Sequence, residues 1–404
     1  MTRRAVITGT GAICSLGSSS HAVWTAMKAG TCGIGPLAID HQGDLKTAIA
    51  AQISDIPEID IEKRHRATLS GFSKLAVIAA GEALKEAGLD GADAFDPTRT
   101  GAIIGTGVFG ADAVDQAYRT VFVDGKKRTE IFAIPKVMPS SPSVHVSMVY
   151  GIKGPVYSPS SACASGNHAL CAALDLIRTN RADVVVAGGT DTPLTFGIIK
   201  TWESMRILAK TGCRPFSADR EGLVLGDGAA CLVIESEDHA KARGATILAE
   251  LAGAGMTADA ADMVSPDVDG AANAMRACMA DADLSPTDIN AINAHGTATL
   301  GNDKTETEAI RSAFAAHADT LAVSGTKSMH GHCLGASAAI EAVACVKSLR
   351  DQTVPPTINL HEADPECDLD YVTQGAREQA VDAIISNAFA FGGANASVCF
   401  RRYP

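Results

Sequence analysis

A cysteine between a short apolar run and an Ala-rich stretch is the first candidate for chemistry. Cys163 lies in the segment SPSSACASGNHAL, which predicts a strand-to-helix turn. We expect the positive end of the following helix dipole to favour the thiolate and to lower the pKa of this cysteine. Its small neighbours leave room for a substrate thioester, as at a nucleophile elbow. The competing interpretation is an inert thiol, because free cysteines are usually buried core residues.

Two histidines lie in loops of similar character and could act with this cysteine. His295 follows an apolar run in NAHGTATLGND, and His332 precedes an Ala-rich helix in SGTKSMHGHCLGASAAIEA. Ligands of α/β proteins bind at the carboxyl ends of strands, where the His295 loop is predicted to lie. A single loop histidine is usually a structural hydrogen-bonding group, whereas one cysteine and two histidines flanked by small residues favour a catalytic set. Lys327, five residues before His332, adds a charge.

Metal and nucleotide binding are weaker alternatives. His330, His332 and Cys333 could bind zinc, but no second cluster supplies the remaining ligands, and we therefore predict no metal. The glycines after the first apolar run do not match GxGxxG, and the sequence contains no P-loop motif. Nucleotide binding consequently has little support.

The apolar pattern predicts the elements that would position these residues. Short β-rich runs end in glycine-bearing loops at 5–11, 101–107, 183–189, 289–297 and 382–393. Apolar stripes at helical spacing predict helices over 73–87, 164–179 and 335–350. Buried strands alternating with helices predict an α/β protein with a largely parallel sheet. The segments near 103 and 293 resemble each other, as do those near 185 and 385, which indicates two similar halves meeting near residue 250.

Composition argues against several classes of protein. The 404 residues are 46% hydrophobic and 20% charged, which suits a large folded core. A count of 34 basic and 46 acidic residues gives a net charge of −12, unlike a general nucleic-acid or anionic-membrane binder. The 11 scattered cysteines without CxxC indicate a reducing cytoplasm. The start MTRRAVITGTG predicts a first strand rather than a signal peptide, and apolar runs are too short to predict a membrane span.

Five ordered motifs together resemble the β-ketoacyl-acyl-carrier-protein synthase family of the thiolase superfamily. They are SACASG, CRPFSADREGLVLGDGAA, NAHGTAT, GTKSMHGHCLGA and SNAFAFGGANAS. The resemblance, to the elongating type, implies a thiolase-like fold with two duplicated α/β halves in a layered αβαβα arrangement. It divides the chain into 1–250, with Cys163 and an insertion at about 108–145, and 251–404, with both catalytic histidines. IFAIPKVMPS and TPLTFG add a similarity to the nodulation-protein-E subgroup of ketosynthases.

The resemblance implies a decarboxylative Claisen condensation. An acyl group held as a thioester on Cys163 would join a malonyl group on acyl carrier protein, giving a β-ketoacyl carrier protein in fatty-acid or related acyl-chain synthesis. His295 and His332 would donate hydrogen bonds to the malonyl thioester, and the backbone N–H groups of Cys163 and Phe391 would form an oxyanion hole. Lys327 would organise the site through an ion pair with Glu306.

The same resemblance assigns the residues around the catalytic set. The acyl pocket and its gate would be formed by Phe391, Phe389, Val108, Phe132 and Trp202. The phosphopantetheine arm would contact Thr297, Thr299 and Ser265. The acidic carrier protein would dock on a basic patch, for which the candidates are Arg206 as first choice, Arg64, Lys126 and Lys127. The competing interpretations are core packing, capping and ordinary surface charge.

Partners and rival functions also follow from the resemblance. No metal or redox cofactor is implied, since loss of CO2 drives formation of the carbon–carbon bond. The family is homodimeric, and a heterodimer with a second ketosynthase-like subunit is an alternative, as are polyketide, polyene or nodulation-type subunits. A non-catalytic chain-length-factor-like protein would lack the nucleophilic cysteine, and a thiolase would need a second one, whereas Cys399 lies in an apolar run. His330 replaces the small or β-branched residue usual in housekeeping synthases, and the sequence assigns it no role.

Overall fold

A computed structural model describes residues 3–59, 61–91 and 93–404. The strands are β1 Ala5–Cys14, β2 Gly35–Pro36, β3 Ile49–Ala50, β4 Thr100–Gly105, β5 Val156–Tyr157, β6 Val184–Asp191, β7 Gly228–Ser236, β8 Ala249–Ala258, β9 Ala291–Asn293, β10 Ala322–Ser324, β11 Thr353–Val354, β12 Arg377–Glu378, β13 Ala383–Ala390 and β14 Ala394–Arg401. The helices are α1 Ser20–Lys28, α2 Lys63–Arg66, α3 Gly71–Glu86, α4 Ala111–Tyr118, α5 Ala133–Val137, α6 Ser141–Tyr150, α7 Ser165–Arg178, α8 Phe196–Met205, α9 Glu237–Ala242, α10 Val268–Asp281, α11 Leu300–Phe314, α12 Lys327–His330 and α13 Ser337–Asp351.

One mixed sheet of ten strands consists of two halves with the same strand order. From the middle outward, the first half runs β1, β7, β6, β4, β5 and the second runs β8, β14, β13, β9, β10. The halves join where Val6 and Ile7 of β1 pair with Glu250 and Ala249 of β8. The segments that resemble each other in the sequence therefore occupy equivalent places, because β4 corresponds to β9 and β6 to β13.

Helices cover both faces of each half and produce five layers. A central core packs α7 and α13 against strands of both halves. On the outer side of the first half, α3 packs against β1, β4, β6 and β7. On the outer side of the second half, α10 and α11 pack against β8, β9 and β13. This is the duplicated αβαβα arrangement of a thiolase-like fold.

The close packing of α3 on β1 depends on glycine. A Cβ atom added at Gly11 would lie 2.0 Å from the carbonyl oxygen of Ala79, and one at Gly9 would lie 2.1 Å from that of Ala83. These distances are far inside van der Waals contact, so any side chain at either position would push the helix away. The two glycines thus set the spacing of the outer layer.

The predicted helices are confirmed, but the prediction of a largely parallel sheet is wrong. The helices α3, α7 and α13 begin and end within two residues of the predicted segments. β4 runs parallel to β5 and β6, and β9 runs parallel to β10 and β13. The four strands β1, β7, β8 and β14 run antiparallel to their neighbours. The continuous apolar runs arise because helices bury both faces of the sheet, and such burial does not require parallel pairing.

The segment between β4 and β5 contains the predicted insertion and exposes apolar side chains. It includes α4, α5 and α6. Phe122 is 76% exposed and Ile131 is 87% exposed, and Tyr118, Val123 and Ile134 are also exposed. The neighbouring β5 is an edge strand of the sheet. Within the ranges that the structure describes, no helix is both long and apolar enough to cross a lipid bilayer.

Candidate active site

A strained turn presents Cys163 at the start of α7. The turn is a 3₁₀ segment, Ala162–Ala164, and Ala162 adopts a φ of 47°, a left-handed conformation that is unfavourable for a residue other than glycine. The hydroxyl of Ser165 accepts a hydrogen bond from the backbone N–H of Ser161 at 2.9 Å and lies 2.7 Å from the carbonyl oxygen of Ala162. These contacts hold the turn and leave the Cys163 thiol at the base of a cavity.

The expectation that the helix dipole lowers the pKa of Cys163 is wrong. Cys163 is 7% exposed, and burial raises the pKa of its thiol to about 12 although the charge of Lys327 opposes the rise. The loss of solvation on ionising a buried thiol exceeds the stabilisation that the charge of Lys327 provides. Cys163 is therefore a thiol in the resting protein, and its proton must leave when the sulfur attacks.

His332 is fixed in one neutral form beside the thiol. Its Nε2 lies 3.1 Å from Cys163 Sγ. The backbone N–H of Leu334 donates to Nδ1 at 3.2 Å, so the proton of the neutral ring belongs on Nε2. Burial, and then the charges of Lys327 and His330, hold the pKa of His332 well below its usual value. The ring is therefore a neutral N–H donor directed at the reactive sulfur.

His295 approaches the same point from the second half of the fold. It follows β9, and its ring meets that of His332 edge to face at a centroid distance of 5.6 Å. The side chain is 3% exposed, and burial, followed by the charges of Lys327 and His332, holds its pKa well below the usual value. The sulfur of Cys163 and one ring nitrogen each of His295 and His332 lie within 4.8 Å of one another. The three side chains therefore converge on one small volume.

Lys327 pairs with Glu341 and not with Glu306, which corrects the expectation from the sequence. Its Nζ lies 2.7 Å from Glu341 Oε1 and donates to the carbonyl oxygen of His295 at 2.6 Å. Both charged side chains are fully buried. Burial raises the pKa of Glu341, and the lysine opposes that rise. The lysine thereby connects an ion pair to the backbone of His295.

Glu306 supports the loop that carries His295. Its carboxylate accepts hydrogen bonds from the backbone N–H groups of His295 and Gly296 at 2.7 and 2.8 Å. Asn387 donates a further hydrogen bond to Glu306 at 3.3 Å. Glu306 therefore supports backbone amides of the His295 loop instead of pairing with the lysine.

The structure does not bring together the three side chains considered as zinc ligands, which are those of His330, His332 and Cys333. His330 directs Nε2 to Thr326, at 3.1 Å. The thiol of Cys333 lies 3.4 Å from the carbonyl oxygen of Asp227 and 3.5 Å from that of His330. Among the described residues, the side chains that could hold an ion are instead Cys163, His295 and His332, whose positions also suit a nucleophile with two hydrogen-bond donors.

A cavity of about 360 Å³ is lined by Cys163, His295 and His332. Phe389 packs beside His295 at 6.0 Å between ring centroids, and Trp202 stacks on Phe391 at 5.9 Å. The hydroxyls of Thr297 and Thr299 lie 2.9 Å apart, and that of Thr299 also caps α11. The expected site residues that line the cavity are Cys163, His295, His332, Phe389, Phe391, Trp202, Thr297, Thr299, Ser265 and Arg206.

The remaining predicted residues lie outside this lining within the described part of the chain. Val108 packs in the neighbouring apolar cluster that includes Trp202. Phe132 is 39% exposed in the insertion rather than in the pocket of its own chain.

Three of the four basic docking candidates also lie away from the cavity. Arg64 pairs with Glu62 at 2.7 Å, Lys126 lies 3.7 Å from Asp124, and Lys127 is exposed. Only Arg206, among the four basic candidates, therefore reaches the cavity.

Sequence reasoning missed two buried carboxyl groups and one turn. Glu341 is a lone acidic residue in the otherwise apolar stretch SAAIEAVACV, a pattern that signals a buried partner for a charge. Asp191 ends the apolar run of β6 and accepts hydrogen bonds from the N–H groups of Gly107 and Gly335, at 2.8 and 2.7 Å. It thereby ties the two halves together beneath the site. The left-handed Ala162 has no local sequence signal.

The sequence and the fold match known proteins over the whole chain. The N-terminal domain of β-ketoacyl synthases matches residues 2–240, and the C-terminal domain matches residues 248–361. The chain is 49% identical over 402 residues to nodulation protein E of Rhizobium sp. (strain N33), covering 100% of both chains. It is 38% identical over 409 residues to 3-oxoacyl-acyl-carrier-protein synthase 2 of Coxiella burnetii (strain RSA 493 / Nine Mile phase I), covering 99% of both.

A solved structure gives the same result for the fold. The ishigamide ketosynthase/chain length factor superposes with a TM-score of 0.95 at 30% identity and covers 100% of both chains. A buried thiol facing two neutral imidazoles, in a duplicated αβαβα fold, defines an acyl-transferring condensing enzyme. The chain belongs to the β-ketoacyl synthase family.

Proposed function

We propose that this ketosynthase condenses an acyl group on Cys163 with a malonyl group carried by acyl carrier protein. The observation that supports the proposal most strongly is the convergence of Cys163, His295 and His332 at the base of one cavity. A buried nucleophile and two neutral N–H donors match the needs of a thioester substrate whose carbonyl oxygen becomes negative during reaction.

In the first half-reaction, the sulfur of Cys163 attacks the acyl thioester. The new bond joins the Cys163 sulfur to the acyl carbon, and the bond from that carbon to the pantetheine sulfur breaks. The thiol proton leaves Cys163 and ends on the released pantetheine thiol, so charge and atoms balance. The backbone N–H groups of Cys163 and Phe391 are the proposed donors to the tetrahedral oxyanion.

In the second half-reaction, the malonyl thioester loses CO2. The electron pair of the broken carbon–carbon bond forms an enolate, whose oxygen accepts hydrogen bonds from His295 and His332. The enolate carbon attacks the acyl–Cys163 carbonyl, and the cysteine sulfur leaves and takes a proton from solvent. No metal or redox cofactor takes part in these steps. The neutral state of both histidines is compatible with this role, because each neutral ring keeps one N–H that can donate a hydrogen bond.

The substrates are proposed to arrive on a carrier protein. The name of the Coxiella relative includes the acyl carrier protein. Thr297, Thr299 and Ser265 line the cavity as polar groups suited to the amides of a phosphopantetheine arm, and Arg206 supplies a positive charge at the same cavity. The pathway is fatty-acid synthesis or the synthesis of a dedicated acyl chain, and the proposed location is the cytoplasm.

The exposed apolar side chains of the insertion support a dimer. Phe122, Ile131 and Ile134 would be covered if two copies met at this surface, and the edge strand β5 would be covered with them. We therefore propose a homodimer, with Phe132 reaching toward the partner's pocket. A ketosynthase-like partner is the alternative, supported by the ketosynthase/chain length factor structure. Sedimentation equilibrium of the pure chain should give about twice the mass of 41.5 kDa.

Intact-mass spectrometry tests the first half-reaction. Incubation with acyl carrier proteins bearing different acyl groups should add one acyl mass to the wild type and none to Cys163→Ala. A matched control is Cys171→Ala, because Cys171 is also a buried cysteine but belongs to the central core. Acylation that persists in Cys163→Ala would overturn the assignment of the nucleophile.

A further inference from the structure

The buried ring of His330 belongs to neither half-reaction described above, although it lies close to the catalytic ion pair. We propose that His330 is a positioning residue that orients His295 through a chain of buried groups consisting of Thr326, Glu341 and Lys327. The proposal deepens the proposed function, because it assigns His330 to the malonyl decarboxylation half-reaction.

The chain is continuous from one histidine to the other. His330 Nε2 lies 3.1 Å from Thr326 Oγ1, which donates to Glu341 Oε1 at 3.5 Å. Glu341 Oε1 accepts from Lys327 Nζ at 2.7 Å, and the same Nζ donates to the carbonyl oxygen of His295 at 2.6 Å. Every link joins groups that are shielded from water, where hydrogen bonds are strongest and lost partners are most costly.

The charges around the chain assign the proton of His330. Nε2 faces Thr326 and lies 3.9 Å from the carboxylate oxygen of Glu341, whereas Nδ1 has no hydrogen-bond partner among the described residues. The neutral ring therefore carries its proton on Nε2, where the N–H points at an oxygen and toward a negative charge. In that form His330 donates to Thr326, which leaves the threonine hydroxyl free to donate to Glu341.

The neighbouring side chains make apolar packing alone an insufficient explanation. His330 is fully buried, and Asn293 donates to the same Thr326 hydroxyl at 3.3 Å. Burying a polar ring costs free energy unless its donor is satisfied. Here the Thr326 hydroxyl, 3.1 Å from Nε2, satisfies that donor, so the hydrogen-bond chain offsets the cost of burying the ring.

The residue at which the hydrogen-bond chain ends predicts which half-reaction depends on that chain. The chain ends at the backbone of His295, whose ring is a proposed donor to the enolate oxygen. Cys163 is held by a separate turn before α7 and faces His332. Loss of the His330 donor should therefore displace His295 and slow decarboxylation, while acylation of Cys163 proceeds nearly as before.

The direct test compares His330→Leu, which removes the N–H donor, with His330→Gln, which retains one. Two rates are measured on the full chain: CO2 release from malonyl carrier protein and acylation of Cys163 by intact mass. His330→Leu should slow decarboxylation about tenfold, the size expected for one buried hydrogen bond, with acylation changed less than about twofold. His330→Gln should recover most of the decarboxylation rate. Equal losses in both half-reactions, or no rescue by glutamine, would overturn the proposal.

Thr326 provides a second test that does not depend on replacing the histidine ring. Thr326→Val keeps the volume and removes the hydroxyl, and Thr326→Ser keeps the hydroxyl. If the chain acts as a unit, Thr326→Val slows decarboxylation like His330→Leu, and the double variant is no slower than the worse single variant. The same cycle of urea unfolding midpoints should also be non-additive. Additive effects of the two substitutions would contradict a coupled chain of hydrogen bonds. A wild type that neither decarboxylates nor becomes acylated would instead overturn the proposed function.

Discussion

At the scale of single residues, burial determines which groups carry charge. The motifs predicted Cys163, His295, His332 and Lys327 as one set, and the structure brings all four together. They did not predict the raised pKa of the thiol or the partner of the lysine. Both depend on which buried groups the fold places within a few ångströms, and sequence spacing carries little information on that.

The lysine pairing can be tested by removing one carboxylate at a time. Glu341→Gln leaves the buried Lys327 without a counter-charge and should lower the free energy of unfolding by about 3–5 kcal/mol. Glu306→Gln replaces an acceptor for backbone amides and should cost only about 1–2 kcal/mol. Urea unfolding of the two variants beside the wild type gives both values. A larger loss for Glu306→Gln would show that the pairing is assigned to the wrong carboxylate.

The buried histidines also predict how stability depends on pH. Burial lowers the pKa of His330 to about 3, whereas an unfolded histidine has a pKa of about 6.5. Below pH 6.5 the His330 ring therefore binds a proton in the unfolded chain but not in the folded chain, and the free energy of unfolding falls as the pH falls. His330→Leu removes this proton and should reduce the slope of unfolding free energy by up to about 1.4 kcal/mol per pH unit between pH 6 and 5. Unfolding curves at several pH values test this, and an unchanged slope would contradict a neutral His330.

At the scale of helices and strands, the spacing of apolar residues predicted where the elements lie better than it predicted the relative direction of neighbouring strands. The helices α3, α7 and α13 and the repeat of β4 and β6 in β9 and β13 were predicted from apolar spacing. The antiparallel strands were not, because local pattern reports burial and not the direction of a neighbour. The run at 289–297 is also shorter as a strand, since β9 ends at Asn293 and Glu306 holds the following residues as a loop.

The contact between α3 and β1 gives a test at this scale. Gly11→Ala should force the helix from the strand and lower the unfolding free energy by about 1–3 kcal/mol, as overpacked cores do. Gly35→Ala is the matched control, because a Cβ at Gly35 meets no atom within 4 Å. Thermal and urea unfolding of the two variants should differ clearly. Equal stability of both variants would contradict the close packing of this layer.

At the scale of the whole molecule, the distribution of charge limits where the proposed carrier protein would dock. The chain is acidic overall, with a net charge of −12, so the acidic carrier protein proposed as its partner would have to approach through a local positive region. Arg206 is exposed at the cavity that leads to Cys163, whereas Arg64 lies outside the cavity lining and is paired with Glu62. The sequence could list basic residues, but only the fold distinguishes those beside the cavity.

Charge reversal at these two arginines tests the docking site. Arg206→Glu should raise the KM for acyl carrier protein about tenfold and leave the KM for the same acyl group on coenzyme A nearly unchanged. Arg64→Glu, with the same change in charge, should alter neither value much. The difference should shrink at high salt because the contact is electrostatic. Equal effects of the two variants would exclude Arg206 as a specific docking residue.

The condensation itself is the most direct measurement of the central claim. The wild type is supplied with an acyl carrier protein and with malonyl carrier protein labelled with carbon-13, and products are read by mass spectrometry. We predict a β-ketoacyl carrier protein two carbons longer, one CO2 released for each product, and no product from Cys163→Ala. Release of CO2 without chain growth, or chain growth that does not require Cys163, would contradict a condensing enzyme that works through this cysteine.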